Sequence, residues 1–192
     1  MTNRPVIVAV ASAIAAVGVV AVLFVGIPRW YGRPVSSAVT TAPAAPTAPG
    51  RKIKAQLFYV ADDGSRLTGI EREVPYGEQP VDQAREILNA QLTPVGAPLI
   101  SAIPAGTTLR ALFLTETGQA FVDLSRDVSM AHPGGSLNEL LTIYTIVHSL
   151  TLNMPAVTAV QPLVDGKEVD TLAGHVDLRR PLTKNLQFAL EN

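Results

Sequence analysis

The first strong pattern is a run without charge. Val6 to Ile27 contains no Asp, Glu, Lys or Arg and is bracketed by Pro5 and Pro28. At about 1.5 Å per residue, these 22 positions form a helix long enough to cross a hydrocarbon core of roughly 30 Å. Trp30 and Tyr31 follow, where an aromatic interface belt would lie. The run exceeds the apolar stretch of a cleaved secretory signal, and no small-residue cleavage site closely follows it. The expectation is therefore a retained single-pass anchor over residues 1–33. Residues 34–52 mix Pro, Ala, Thr and Ser without a core-forming period, which predicts an extended spacer.

From Ile53 onward the pattern becomes that of a folded domain, expected over residues 53–192. Ile53 to Val60 and Leu67 to Val74 read as strands joined by the Asp62-Asp63-Gly64 turn. Pro80 opens a helix that places Val81, Ala84, Leu88 and Leu92 on one stripe, with Asp82, Arg85 and Asn89 facing away. Leu109 to Leu114 and Ala120 to Leu124 form a hairpin around Glu116-Thr117-Gly118. A second helix is predicted from Ser136 to about Met154, where Pro155 stops it. Val157 to Val164 is a further strand closed by Asp165-Gly166, and Val176 to Leu178 a short last strand on a sheet edge. Leaving out the Leu67 segment, the order is strand, helix, strand, strand, helix, strand. That order predicts an α+β two-layer sandwich, with a mixed or antiparallel sheet carrying two helices on one face in split βαβ fashion.

The hairpin register decides which side chains face solvent. With Glu116-Thr117 as a two-residue loop, Leu109, Ala111 and Phe113 share a face with Ala120, Val122 and Leu124 beneath the helices. The opposite face then pairs Arg110 with Asp123 and Leu112 with Phe121. An apolar pair on an open sheet face predicts a partner surface at Leu112 and Phe121. The alternatives are that the terminal strand or the loop from Pro94 to Pro104 covers this face, or that a bulge at Gly118 shifts the register.

The string AIPAGT at 102–107, followed by a hairpin ending in VDLS, and the later strings LVDGKEV and GHVDLRRPL resemble the GerMN domain. This family consists of bacterial envelope and sporulation-associated modules, and the resemblance runs from about Leu57 to Leu182. It implies a role in envelope, sporulation or germination assemblies. The sequence carries one such domain, and it has no cysteine, hence no lipidation site, disulfide or thiol chemistry.

Charge removes one class of partner. Every acidic residue lies after Val60, and beyond Lys54 the chain holds sixteen acidic against nine basic groups. Such a domain lacks the basic footprint of a nucleic-acid binder. Arg4 on one flank of the anchor and Arg29 and Arg33 on the other pull the positive-inside rule in opposite directions. The spacer and the resemblance favour a C-terminal domain outside the cytoplasm.

The candidate chemistry is sparse. Ser136-Leu137-Asn138-Glu139 fits a capping box in which the Ser136 hydroxyl caps the second helix and Glu139 reaches back. After Gly134 and Gly135, the same Ser136 end also suits an anion. His132 lies close in sequence to Ser136, but no third group completes a nucleophile. The spacing of His132, His148 and His175 matches no metal motif, and Asp62-Asp63 and Asp165, Glu168, Asp170 read as turn chemistry. The expectation is a non-catalytic module with no cofactor or metal. Its expected partners are the membrane and an envelope protein or cell-wall component, with a second copy of the chain left open. Two other readings stand beside it: an extracytoplasmic hydrolase of cell-wall material using Ser136 or His132, and a small-ligand or cation sensor.

Overall fold

The computed structural model describes residues 50–190. The predicted anchor and residues 34–49 of the predicted spacer lie outside the described residues. No helix among the described residues is long and apolar enough to cross a membrane.

β-Branched and aromatic residues between Asp and Gly turns build two open sheets. In the first, β1 (Lys52–Val60) runs antiparallel to β2 (Leu67–Pro75), in register from Lys52 opposite Pro75 to Val60 opposite Leu67. A two-residue strand, β8 (Ala189–Leu190), lies parallel to β2 at Leu67 and Thr68. The second sheet has the order β3 (Leu109–Leu114), β4 (Gln119–Leu124), β5 (Ala159–Val164), β6 (Lys167–Glu168). Here β3 and β4 form the hairpin, and β4 and β5 are parallel. The remaining edge of β5 is shared between β6 and β7 (Leu182–Thr183).

Three α-helices lie among the described residues: α1 (Pro80–Leu92), the short α2 (Asp127–Met130) and α3 (Ser136–Thr151). Eleven consecutive residues of α3, Leu141 to Thr151, are buried. A helix buried all round belongs in the interior, and α3 packs on β1 of one sheet, on β5 of the other and against α1. Its polar positions are hidden by local hydrogen bonds. The hydroxyls of Thr142, Thr145, Ser149 and Thr151 each donate to the carbonyl four residues back. The main core joins α3 to Phe58, Leu112, Val122, Leu124 and Val160. A second cluster gathers Ala55, Leu57 and Tyr59 from the other side of β1 with Val74 and Ile87.

Burying both faces of β1 leaves its free edge to be satisfied, and side-chain amides do this. Gln56 donates its backbone N–H to Asn153 Oδ1 at 2.7 Å, and its carbonyl accepts from Asn153 Nδ2 at 2.7 Å. Two residues on, Phe58 makes the same pair with Gln91 of α1, at 2.7 and 2.8 Å. Val60 then donates to the Ile100 carbonyl at 2.9 Å. Thus the edge of β1 is closed from Gln56 to Val60.

The fold class is α+β, as the order of elements predicts, and most elements match within two residues. Two details differ. The strands divide between two sheets instead of forming one, because α3 lies between β1 and β5 and holds them apart. Val176 to Leu178 is not a strand; Leu178 is buried in the core, and the edge strand on β5 is β7.

Candidate functional site

The outer face of the β3–β4 hairpin is set by its turn. Gly118 donates to the Thr115 carbonyl at 3.1 Å and Thr115 donates to the Gln119 carbonyl at 2.9 Å, so the loop is the three residues Glu116, Thr117 and Gly118. Gly118 sits at φ +82, and a Cβ there would lie 2.5 Å from the Ala156 carbonyl oxygen. Glycine is required on both counts. The extra loop residue moves the register by one: Leu112 faces Val122 and Phe113 faces Phe121. Leu112 is therefore not on the open face. It is 3% exposed within the main core, while Phe113 is 60% exposed and takes the place expected of Leu112 beside the half-buried Phe121. A second irregularity at Arg110 returns Leu109 to the inner side, opposite Leu124.

Polar groups frame this aromatic strip. Arg110 approaches Asp123 at 3.8 Å and Asp165 more closely, at 3.0 Å. Asp123 accepts the Gly166 N–H at 2.7 Å, which ties β4 to the Asp165-Gly166 turn at φ +50 and +76. Beside Phe121, Gln161 is buried and donates to the Leu178 carbonyl at 2.7 Å, so the C-terminal segment covers that flank. Phe113 remains open.

The start of α3 does not form the predicted capping box. Gly135, at φ +87, is the N-cap and no side chain caps the helix. Ser136 is the first helical residue and is exposed. Glu139 turns inward, away from the helix start, and is 0% exposed. Its carboxylate accepts backbone N–H groups from Leu172 at 2.8 Å, Ala173 at 3.0 Å and His175 at 2.9 Å, with His175 Nδ1 at 3.3 Å. Burial pushes the Glu139 carboxyl up, but the N–H groups of Ala173, His175, Leu172 and Val176 outweigh it and hold the group below the ordinary glutamate range. Glu139 is thus the anion that organises the loop around residues 172–175.

His132 is also occupied. Its Nδ1 accepts the Gly134 N–H at 3.0 Å, which leaves the proton on Nε2, 3.1 Å from Thr142 Oγ1; that hydroxyl lies 2.6 Å from the Ala102 carbonyl. Nδ1 is taken within the loop and Nε2 ties that loop to α3, and neither is paired with Ser136. His148 lies within the core and His175 beside Glu139, so the three histidines do not converge. Among the described residues no three His, Cys, Asp or Glu side chains are placed to hold a metal ion. Asp63 binds Ser65 and Arg66 within its own turn, and Asp165 is paired to Arg110.

One groove of about 350 Å³ lies between the end of α1 and the loop before β3, lined by Leu92, Pro94, Val95, Ile103, Pro104 and Pro133. Its Ser101 hydroxyl is engaged with the backbone of Ile103.

A family model described as "Germane: Sporulation and spore germination" matches residues 56–170. The chain belongs to this family. The Germane match contains the hairpin, His132 and Glu139, and ends before the loop that Glu139 holds. Solved structures carry similar folds. The tandem GerMN domains of the sporulation protein GerM from Bacillus subtilis align at 14% identity over 69% of this chain and 46% of that one, with a TM-score of 0.54. The first GerMN domain of the same protein gives 14% identity, 69% and 98% coverage and a TM-score of 0.49. A Clostridium perfringens protein described as a candidate lipoprotein gives 20%, 69% and 88%, and 0.49. Of these three, the match at 0.54 bears on the fold, and this chain spans less than half of that protein. No curated protein is significantly similar in sequence.

Proposed function

We propose that this Germane domain is a non-catalytic interaction module, tethered to the cell membrane by residues 1–33, that works outside the cytoplasm in a sporulation or germination assembly. The observation that carries the reading is the open aromatic strip: Phe113, 60% exposed, opposite the half-buried Phe121 on a sheet face that the domain itself covers along the Gln161 flank. The groups that chemistry would call on are otherwise engaged, since Glu139 binds loop amides and His132 binds Gly134 and Thr142. The partner on the strip is an envelope protein, for which an aromatic center rimmed by Arg110 and Asp165 supplies both an anchor and direction. A photo-activated cross-linking residue placed at Phe113 of the full chain in native membranes tests this. The reading predicts one discrete adduct at position 113 and none with the same probe at Leu137, an exposed apolar residue on α3. Equal labelling at both positions, or none at 113, counts against it.

A further inference from the structure

The C-terminal segment from Leu182 to Leu190 forms a strap across both sheets. Leu182 and Thr183 pair with β5, and Ala189 and Leu190 pair with β2. Between these ends the strap is held to α3 at two places. His148 Nε2 lies 3.1 Å from the Asn185 carbonyl, and the Phe188 ring stacks on Tyr144 at 4.9 Å.

His148 is 0% exposed, with its ring 5.4 Å from that of Phe58 and 5.3 Å from that of Tyr144. A carbonyl oxygen only accepts, so Nε2 carries the proton and donates to Asn185. Nδ1 is then a bare acceptor, and it is buried with no partner. A second proton would create a buried imidazolium whose Nδ1–H also lacks an acceptor, a state that interiors disfavour strongly.

No neighboring group offsets that charge. On α3 the titratable neighbor is Tyr144, while Glu139 faces the loop at Leu172 to His175. On β1 the contact is the apolar Phe58; Lys52 and Lys54 pair with Glu73 and Glu71 at the surface, and Tyr59 belongs to the second cluster. On the strap, Lys184 is exposed. No ion pair reaches His148 among the described residues. The strap supplies the ring's polar contact through the Asn185 carbonyl, so lifting the strap removes that partner.

We propose that His148 is a proton-operated latch: neutral, it holds the strap closed, and protonated, it releases Asn185 to Leu190, baring Tyr144 and the β2 edge at Leu67 and Thr68. Burial pushes the His148 pKa below its ordinary value, against the weaker opposite pull of the Asn185 carbonyl. The closed form therefore binds fewer protons than the open one. The strap is held fully above the ordinary histidine value of about 6.5, and its opening constant rises by up to about tenfold for each pH unit below that, down to the depressed value.

Amide hydrogen exchange on the detergent-solubilised full chain, corrected for intrinsic rates, reads the latch. Protection of Ala189 and Leu190 should fall, by up to about tenfold, between about pH 7.5 and pH 5.5, while Val122 in the hairpin keeps its protection. His148→Gln retains an N–H donor without titrating, so its strap should stay closed at both values. Protection independent of pH in the wild type, or a fall that persists in His148→Gln, overturns the latch. Should that variant fail to fold, titration of the wild-type His148 ring resonances decides. A midpoint shared with the Ala189 amide supports the latch and separate midpoints overturn it.

Discussion

The interior around α3 and the outer face of the β3–β4 hairpin treat their side chains in opposite ways. Around α3 even strongly polar groups are buried and used: Glu139 holds three amides, Gln91 completes the edge of β1, and His132 joins a loop to Thr142. On the outer face a large apolar group is left in water, with Phe113 open while its neighbor Leu112 fills the core. A fold that satisfies glutamate in its interior has no packing reason to leave phenylalanine outside. The difference locates stability in the first region and leaves the second free for the recognition role proposed above.

That contrast breaks if buried polar groups near α3 can be removed at little cost. Glu139→Ala should have the largest effect, about 3 kcal/mol of destabilisation in chemical unfolding, because three loop amides lose their acceptor at once. The pH dependence has a definite sign. Since folding lowers the Glu139 pKa, its contribution is fully present above the unfolded glutamate value of about 4.3 and is lost as pH falls through the folded value. The Glu139→Ala variant should therefore lose less stability than the wild type on acidification. A variant as stable as the wild type would mean that the loop orders itself.

Gln91→Ala should follow at about 2 kcal/mol, since it strands both the N–H and the carbonyl of Phe58. Hydrogen exchange at the Phe58 amide reports the same event locally. An unchanged rate there would show that the edge of β1 is sealed by burial and not by the amide.

The sequence carried much of this architecture but not its contrast. Most strand and helix limits followed from Pro80, Gly118 and the Asp-Gly turns, although α3 ends at Thr151, before the expected Met154, and the inward set Ala120, Val122 and Leu124 is buried as its alternation implies. The opposite strand was misaligned by one residue, because Glu116-Thr117-Gly118 supports either a two-residue loop or a three-residue loop with Gly118 at positive φ. The close approach of Gly118 to Ala156, which lies far along the chain, selects the second. Ser136 and Glu139 have capping-box spacing, yet Glu139 binds a loop more than thirty residues away, a contact that local spacing does not encode. Gln91 and Asn153 look like solvent-facing helix polars until β1 lies beside them. Likewise the Thr and Ser residues of α3 resemble a wet face, although each hydroxyl is satisfied within the helix.

The most direct test is Phe113→Glu in the full chain, measured both by melting and by cross-linked assembly in native membranes. As an exposed site with no packing role, it should change stability by no more than about 0.5 kcal/mol while abolishing the cross-linked assembly. A protein that unfolds, or an assembly that survives the charge unchanged, would contradict the assignment of the hairpin's outer face to recognition.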